Sequence, residues 1–448
     1  MALLGRYPAF RWLWFGQLLS QFGNAIFMIM GLWEIELRSP FLLSIAGLAM
    51  MLPTLLMVVG GTIVDRHDPV RLMLGTDLVR GVAVGLGLLT LLLPGSLAWA
   101  VIGLLLVNSL GGTLFGPAEA VLLPRLVTDA DLPGANGIYS ITSLLSGAIG
   151  SAIGGAAIVA IGVRPIFGFD MASFWLSALA LWLVLRTLGP SFRRVMADRL
   201  REAPEAGDFA VRSTAVEPSP PSAKESPDPS TVPKTLRSPS LLAQIREGLY
   251  GLKALSWLLR LVPLILVTNL AYNAGFTMLP YWSRHHLHAT AFGFGMIDAS
   301  WALGMVIGGL AVGRLSRWPL LRVLAVIGSA QGLMTLGFAF SHSVSLSATL
   351  LGLGGIANGM TNALIFTMLQ RVIPERVRGR ALGAFVSLLT VASPLGALVS
   401  GLALHVLPLS WSWDLGGVSI LVLALIMWGM RIDEANSQPD RMSETLTG

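Results

Sequence analysis

Twelve apolar runs, each long enough to cross a bilayer as a helix, follow one another along this chain. They lie at about 10–34, 42–63, 72–93, 97–122, 137–161 and 166–186, and again at about 259–281, 290–313, 319–340, 345–369, 378–403 and 413–431. In hydrocarbon every backbone amide and carbonyl must find a partner within the protein, so such runs are predicted to be helices. Only 12% of the residues are charged, against about 25% in soluble proteins. The solvent for most of this surface is therefore lipid. The run after Arg11 is too long for a signal-peptide core and lacks a small-residue cleavage pattern, which predicts a retained first span. The 448 residues include no cysteine, which excludes disulfides, thiolate metal sites and thiol nucleophiles. No Gly-Lys-Ser/Thr sequence occurs, so ATP-driven transport by this polypeptide is excluded. Neither a nucleophile–base pair nor a metal-ligand set stands out, which argues against an enzyme. His285, His286 and His288 read as a solvated loop, because no carboxylate or cysteine completes a site.

The pattern predicts an all-α membrane protein of two six-helix bundles, residues 1–186 and 259–432, followed by a tail at 433–448. Residues 187–258 form the one long polar segment between them. Its middle is rich in Pro, Ser, Glu and Lys, cannot bury apolar surface and is expected to be disordered. Near 240–254, Leu241, Leu242, Ile245, Leu249 and Leu252 share one helical face. That segment is predicted either to lie on the inner leaflet or simply to lead into the next span. Of 30 Lys and Arg residues, only Arg38, Arg164 and Arg284 fall in loops opposite the termini, with Arg80 inside a span. The positive-inside rule then puts both termini in the cytoplasm. The halves also repeat. Gly60-Gly61-Thr-Ile-Val-Asp-Arg66 recurs 248 residues later as Gly308-Gly309-Leu-Ala-Val-Gly-Arg314. Leu123-Pro-Arg-Leu-Val-Thr-Asp129 recurs 246 residues later as Leu369-Gln-Arg-Val-Ile-Pro-Glu375. Two matches at nearly one offset indicate parallel six-helix repeats.

Between the second and third runs, eight residues carry two carboxylates, two arginines and a histidine: Val64-Asp65-Arg66-His67-Asp68-Pro69-Val70-Arg71. Ionised groups this dense belong at the bilayer surface. Gly61, Asp65, Arg66 and Arg71 resemble the signature loop between helices 2 and 3 of the major facilitator superfamily, although that superfamily usually has Gly at the position of Asp68. The stretch Asn108–Gly155 is similar to the branch holding macrolide-efflux and enterobactin-export proteins. Arg376-Val-Arg-Gly-Arg380 resembles that branch's loop between spans 10 and 11. Ser146–Gly155 resembles the glycine-rich span-5 motif of antiporters, with Ser151 where proline is usual. The second copy of the signature loop carries Gly313 in place of its Asp. The resemblance implies twelve transmembrane helices in two pseudo-symmetric bundles and secondary transport by alternating access. Its partners would be a small-molecule substrate, protons and the lipid bilayer of a bacterial inner membrane, with no cofactor, no metal, no nucleic acid and a monomeric state. It also implies that Asp65 meets the start of span 11, near Arg378–Ala381, when the inner gate is shut.

Polar residues in a lipid span face protein or water, so their helical phase maps a cavity. Gln17, Gln21 and Asn24 form one stripe on span 1. Asn108 lies on span 4; Asn269, Tyr272, Asn273 and Thr277 on span 7; Asn358, Thr361 and Asn362 on span 10. These four spans correspond under the repeat, and in the resembling family they line the central cavity. An asparagine in such a place is also a common interhelical tie. Asp298, Glu119 and Glu34 are the candidates for proton coupling, with Asp298 first because no basic residue is near it in sequence. Asp170 opens span 6 at the outer face. Asp77 and Arg80, three apart, are expected to neutralise one another, and Glu119 to be within reach of Arg125. Drug/proton members of the family often have Arg four residues before a span-4 Gly, where this chain has Asn108 before Gly112. The expected activity is efflux of an amphipathic organic compound such as a drug, macrolide or siderophore. The alternatives are a same-fold importer or facilitator of a nutrient solute, and a non-transporting membrane scaffold.

Overall fold

The structure, a computed structural model, describes residues 2–93, 95–188, 256–312, 320–372, 375–404 and 406–430. The expected disordered connector, the amphipathic segment near 240–254 and the tail at 433–448 lie outside them. The described residues form helices and turns and no strand. In the first half these are α1 (Ala2–Arg6), α2 (Pro8–Glu36), α3 (Pro40–Met51), a 3₁₀ turn (Leu52–Leu56), α4 (Met57–Val64), α5 (Pro69–Thr90), α6 (Leu97–Leu126), α7 (Leu132–Ile161) and α8 (Val163–Thr187). The second half holds α9 (Ser256–Thr277), α10 (Leu279–His285), α11 (Ala291–Ala311), α12 (Leu320–Ala339), α13 (Val344–Val372), α14 (Glu375–Ala403) and α15 (Trp411–Gly429).

Each apolar run coincides with a helix or a broken helix pair. Among the described residues nine helices are long and apolar enough to cross a membrane, and the bent pair α9–α10 makes ten. The run at 42–63 departs from a simple span and the run at 378–403 from its expected bounds. The run at 42–63 breaks at Pro53, which has no amide to donate back to Ala49. There Ser109 of α6 donates to the Met50 carbonyl at 2.5 Å. The run at 378–403 begins earlier than expected: α14 starts at Glu375, so Arg376–Arg380 belongs to its first turns rather than to a loop. Pro280, just past the junction, accounts for the 56° bend between α9 and α10.

Helix pairing repeats between the halves. Helix α2 packs on α7 and α8, and α5 on α6 and α8; correspondingly α9 packs on α14 and α15, and α12 on α13 and α15. Association in lipid depends on close packing rather than on hydrophobic collapse. The tightest crossing, α11 on α13, shows this: a Cβ on Gly304 or Gly308 would land on the carbonyls of Gly352 or Ile356. The halves join through α7 on α11 and α3 on α14. The side-chain contacts across this joint cluster toward the end of the molecule away from residues 65–71, here called the distal end. Ser44 bonds Ser400 at 3.2 Å, Trp33 stacks on Phe294 at 6.0 Å, and Gly155 lies against the Ala291 backbone. At the opposite, terminal end Asp65 and Arg66 are exposed.

Candidate functional site

A continuous polar network runs through the N-terminal bundle. Glu119 on α6 lies near the Tyr139 hydroxyl on α7. Gln21 donates to Tyr139 at 3.1 Å, and Tyr139 approaches Gln17 Oε1 at 3.2 Å. Gln17 reaches Ser177 of α8 at 3.5 Å, and Ser177 donates to Asp77 Oδ2 at 2.6 Å. Asp77 faces Arg80 at 3.7 Å, as their spacing on one helix predicts. Arg80 then donates to the Asn108 carbonyl at 2.8 Å, and the Asn108 amide bonds Asn24. The guanidinium lies 5.6 Å from the Phe115 ring centroid and 5.7 Å from that of Phe174. Span 4 thus has no arginine of its own beside Gly112, yet one reaches this place from α5. Gly111 makes the space: a Cβ there would collide with the Arg80 side chain. The whole predicted stripe of Gln17, Gln21, Asn24 and Asn108 belongs to this network. Tyr139 does too, and a lone tyrosine in an apolar run carries too little pattern to have been singled out.

In the C-terminal bundle a cavity of about 390 Å³ opens among α9, α11, α12, α13, α14 and α15. Asn269, Tyr272, Asn358, Thr361 and Asn362 line it, with Phe276 and Trp301. Among the described residues, its lining contains no charged side chain. Tyr272 is fixed by α12: its hydroxyl bonds Thr335, and Gln331 donates to it at 3.3 Å. Asn362 donates to Asn358 Oδ1 at 2.8 Å, one turn back on the same face. The Thr361 hydroxyl is buried at the wall with no hydrogen-bond partner. Rings of Phe276 and Trp301 lie 5.0 Å apart, and Trp413 backs Phe276 at 5.6 Å. Asn273 does not line the cavity. It donates to the Asn269 carbonyl at 2.8 Å and abuts Gly396 of α14, an interhelical tie. Thr277 donates to the Asn273 carbonyl at 2.7 Å and packs against Gly47 of α3.

Asp298 sits at the joint between bundles, accepting from Ser151 of α7 at 2.7 Å. Glu34 is taken up locally by Arg38 at 3.2 Å. Two residues on, Glu36 has a side chain only 1% exposed and joins the bundles, meeting Arg284 at 2.9 Å and His285 at 3.0 Å. The histidine segment is therefore not simply solvated: His285 pairs with Glu36, and His286 stacks on Trp282 at 4.0 Å and bonds the Ser341 carbonyl. No group of three or more potential metal ligands occurs among the described residues. In the signature loop Asp68, not Asp65, caps α5, accepting from Val70 N at 2.9 Å and Arg71 N at 3.3 Å. Asp-Pro at a helix start suits this, since proline needs no partner there. Arg71 pairs with Asp68 at 3.7 Å. Gly61 has open space where a Cβ would go, whereas Gly60 lies against the Thr113 carbonyl. The side chains near Arg378–Ala381, expected to meet Asp65, lie outside those described.

Apolar helices around a polar interior define a polytopic membrane protein. The family model of the Major Facilitator Superfamily matches residues 13–343 and 261–446, and the chain belongs to that superfamily. It is 23% identical over 421 residues to macrolide efflux protein A of Streptococcus pyogenes, covering 92% of this chain and 94% of that one. It is 26% identical over 442 residues to the multidrug efflux pump Tap of Mycobacterium tuberculosis, covering 94% and 91%. Among solved structures, the nucleoside transporter NupG superposes with a TM-score of 0.64 at 12% identity over 94% of this chain and 100% of that one. A bacterial homologue of the iron transporter ferroportin in an inward-facing state gives 0.62 at 15% identity over 95% and 99%.

Proposed function

We propose that this protein is a proton-coupled exporter of amphipathic organic compounds, working by alternating access as a monomer. In this reading it lies in a bacterial inner membrane with both termini in the cytoplasm. The observation that carries the substrate class is the uncharged cavity: amides and a tyrosine for orientation, aromatic rings and methionines for area. Such a lining suits a bulky, weakly polar ligand. The similarity to macrolide and multidrug efflux proteins agrees with it. With the distal end joined and Asp65 exposed at the other, the conformation corresponds to an inward-facing state. Asp298 gives protons a handle on the joint, because its bond to Ser151 crosses from one bundle to the other. Glu119, near Tyr139 inside the N-terminal bundle, is the second candidate for proton coupling. Asp65, Arg66 and Arg71 with Gly61 form the gating loop that closes on α14 in the opposite state.

Everted membrane vesicles test the reading with a macrolide as probe. Substrate-stimulated proton release and pH-gradient-driven accumulation are expected from the wild type, and both are expected to vanish in Asp298→Asn while membrane insertion is retained. Uptake of solute with external alkalinisation in intact cells would instead make the protein an importer. A protein that moves neither solute nor protons in either format would be a scaffold.

A further inference from the structure

Three ionisable side chains are sealed inside the N-terminal bundle: Asp77 (0% exposed), Arg80 (7%) and Asp170 (1%). Two carboxylates face one guanidinium there. Arg80 lies within electrostatic reach of both acids. Removing an unbalanced charge from water costs several kcal/mol even after the surroundings relax. A closed cluster of this composition is one proton short of neutrality.

Donor placement decides which acid takes the proton. Asp77 receives the Ser177 hydroxyl at 2.6 Å and faces Arg80 at 3.7 Å. Asp170 is held differently: both of its carboxylate oxygens are buried without a hydrogen-bond partner. The backbone of α2 closes over it at Gly23, where a Cβ would sit 3.1 Å from Asp170 Oδ1 and 2.8 Å from Ser173 Cβ. An ionised carboxylate in such a place lacks the donors that sustain it, whereas a protonated one carries no charge to solvate. Among the described residues, the ionisable groups turned toward this cluster are Asp77 and Arg80 on α5 and Tyr139 on α7. Helix α2 presents Gly23 and the amides of Gln17 and Asn24.

We propose that Asp170 is a proton-binding site of the N-terminal bundle, and that Arg80 moves between Asp77 and Asp170 as the proton leaves and returns. Proton coupling in this role rests on the function proposed above. The proton passes from the Asp170 carboxyl to water, leaving one negative charge that only a wetted, opened cluster sustains. Release is thereby tied to conformation. Arg80 is also bonded to the Asn108 carbonyl at 2.8 Å, and the Asn108 amide holds Asn24. A ligand that parts those two amides therefore acts directly on the guanidinium that chooses between the acids.

Infrared difference spectroscopy of the purified full-length protein, titrated from acid to alkaline pH, tests the assignment without a substrate. The wild type is expected to show a buried protonated-carboxyl band that Asp170→Asn removes and that keeps its frequency in Asp77→Glu. Persistence of that band in Asp170→Asn, or a shift of it in Asp77→Glu, would overturn the proposal. Should the asparagine variant not fold, Asp170→Glu is expected to shift the band, and an unmoved band there would overturn it equally. Vesicle transport and this band can fail independently: a coupled wild type with the band elsewhere sinks only the site, and an uncoupled wild type sinks only the transport reading.

Discussion

The two bundles repeat the same helix pairings and fill their interiors with opposite chemistry. In the N-terminal bundle Glu119, Asp77, Arg80 and Asp170 lie among amides and hydroxyls. In the C-terminal bundle the corresponding space is an uncharged aromatic cavity of about 390 Å³. Its acid Asp298 points to the joint and bonds Ser151 of the other bundle. A repeated backbone can therefore separate two kinds of interior in a transporter, charge in one half and ligand volume in the other. The signature loop follows the same asymmetry, with Asp65 in the first copy and Gly313 in the second.

The sharpest way to break this contrast is to remove one polar partner from each interior. Arg80→Gln leaves buried carboxylates without their cation, and the purified protein is expected to lose about 3–5 kcal/mol of stability in thermal unfolding. Adding Asp77→Asn to that variant restores much of the loss, because the cluster regains neutrality with its remaining proton. A double variant no more stable than Arg80→Gln would show that the guanidinium acts through packing on Phe115 and Phe174 instead. On the other side, Tyr272→Phe deprives Gln331 and Thr335 of a neutral partner and is expected to cost about 1–3 kcal/mol. The same change removes a polar group from the cavity wall and should weaken binding of a macrolide probe in a direct titration. Equal stability losses from Arg80→Gln and Tyr272→Phe would erase the distinction between the bundles.

The joint between bundles is the next test. Glu36 is buried, but Arg284 and His285 remain 39% and 49% exposed in their side chains. Water screens such partners, so Glu36→Gln is expected to weaken the distal contact by about 1 kcal/mol, roughly a fivefold shift in population. Thiol labelling of a cysteine introduced at Leu37 should rise accordingly, and Glu34→Gln, which disturbs only a local pair, should leave it unchanged. Similar labelling of both variants would remove Glu36 from the joint.

How far these features could be read in the sequence depends on the kind of contact that makes them. Helices, their repeat and the amide stripes of spans 1 and 10 follow from periodicity, which is local, and they were legible. Glu34 and Glu36 are equally acidic in the sequence. Only the bend at α9–α10, which brings Arg284 to α2 across 248 positions, distinguishes them. Asn273 shares its helical stripe with Asn269 and Tyr272 yet faces Gly396, because a partner helix with a glycine claims that sector of the surface. Asp170 looked like a residue at a span entrance. Its burial comes from Gly23 of α2, and no pattern within span 6 reports that closure. Tyr139, Gln331 and Trp301 were missed because one polar or aromatic residue per span carries no phase.

The smallest expected effect concerns acid at the distal end, where the C-terminal bundle carries titratable groups outside the membrane. His286 follows α10, stacks on Trp282, and donates from Nε2 to the Ser341 carbonyl at 3.1 Å, tying two distal loops together. Burial lowers its pKa from the ordinary 6.5, nearby His342 and His288 add to this, and the bond to Ser341 opposes it. The folded corner thus prefers the neutral ring, and the unfolded corner binds a proton more readily. Stability from this residue is complete above 6.5 and declines as pH falls below that value. Hydrogen exchange in residues 278–290 should accelerate on acidification by less than about tenfold, and His286→Gln, which keeps an amide donor without a titrating ring, should flatten the response. If the same acceleration persists in that variant, His286 is not the group through which this corner responds to pH.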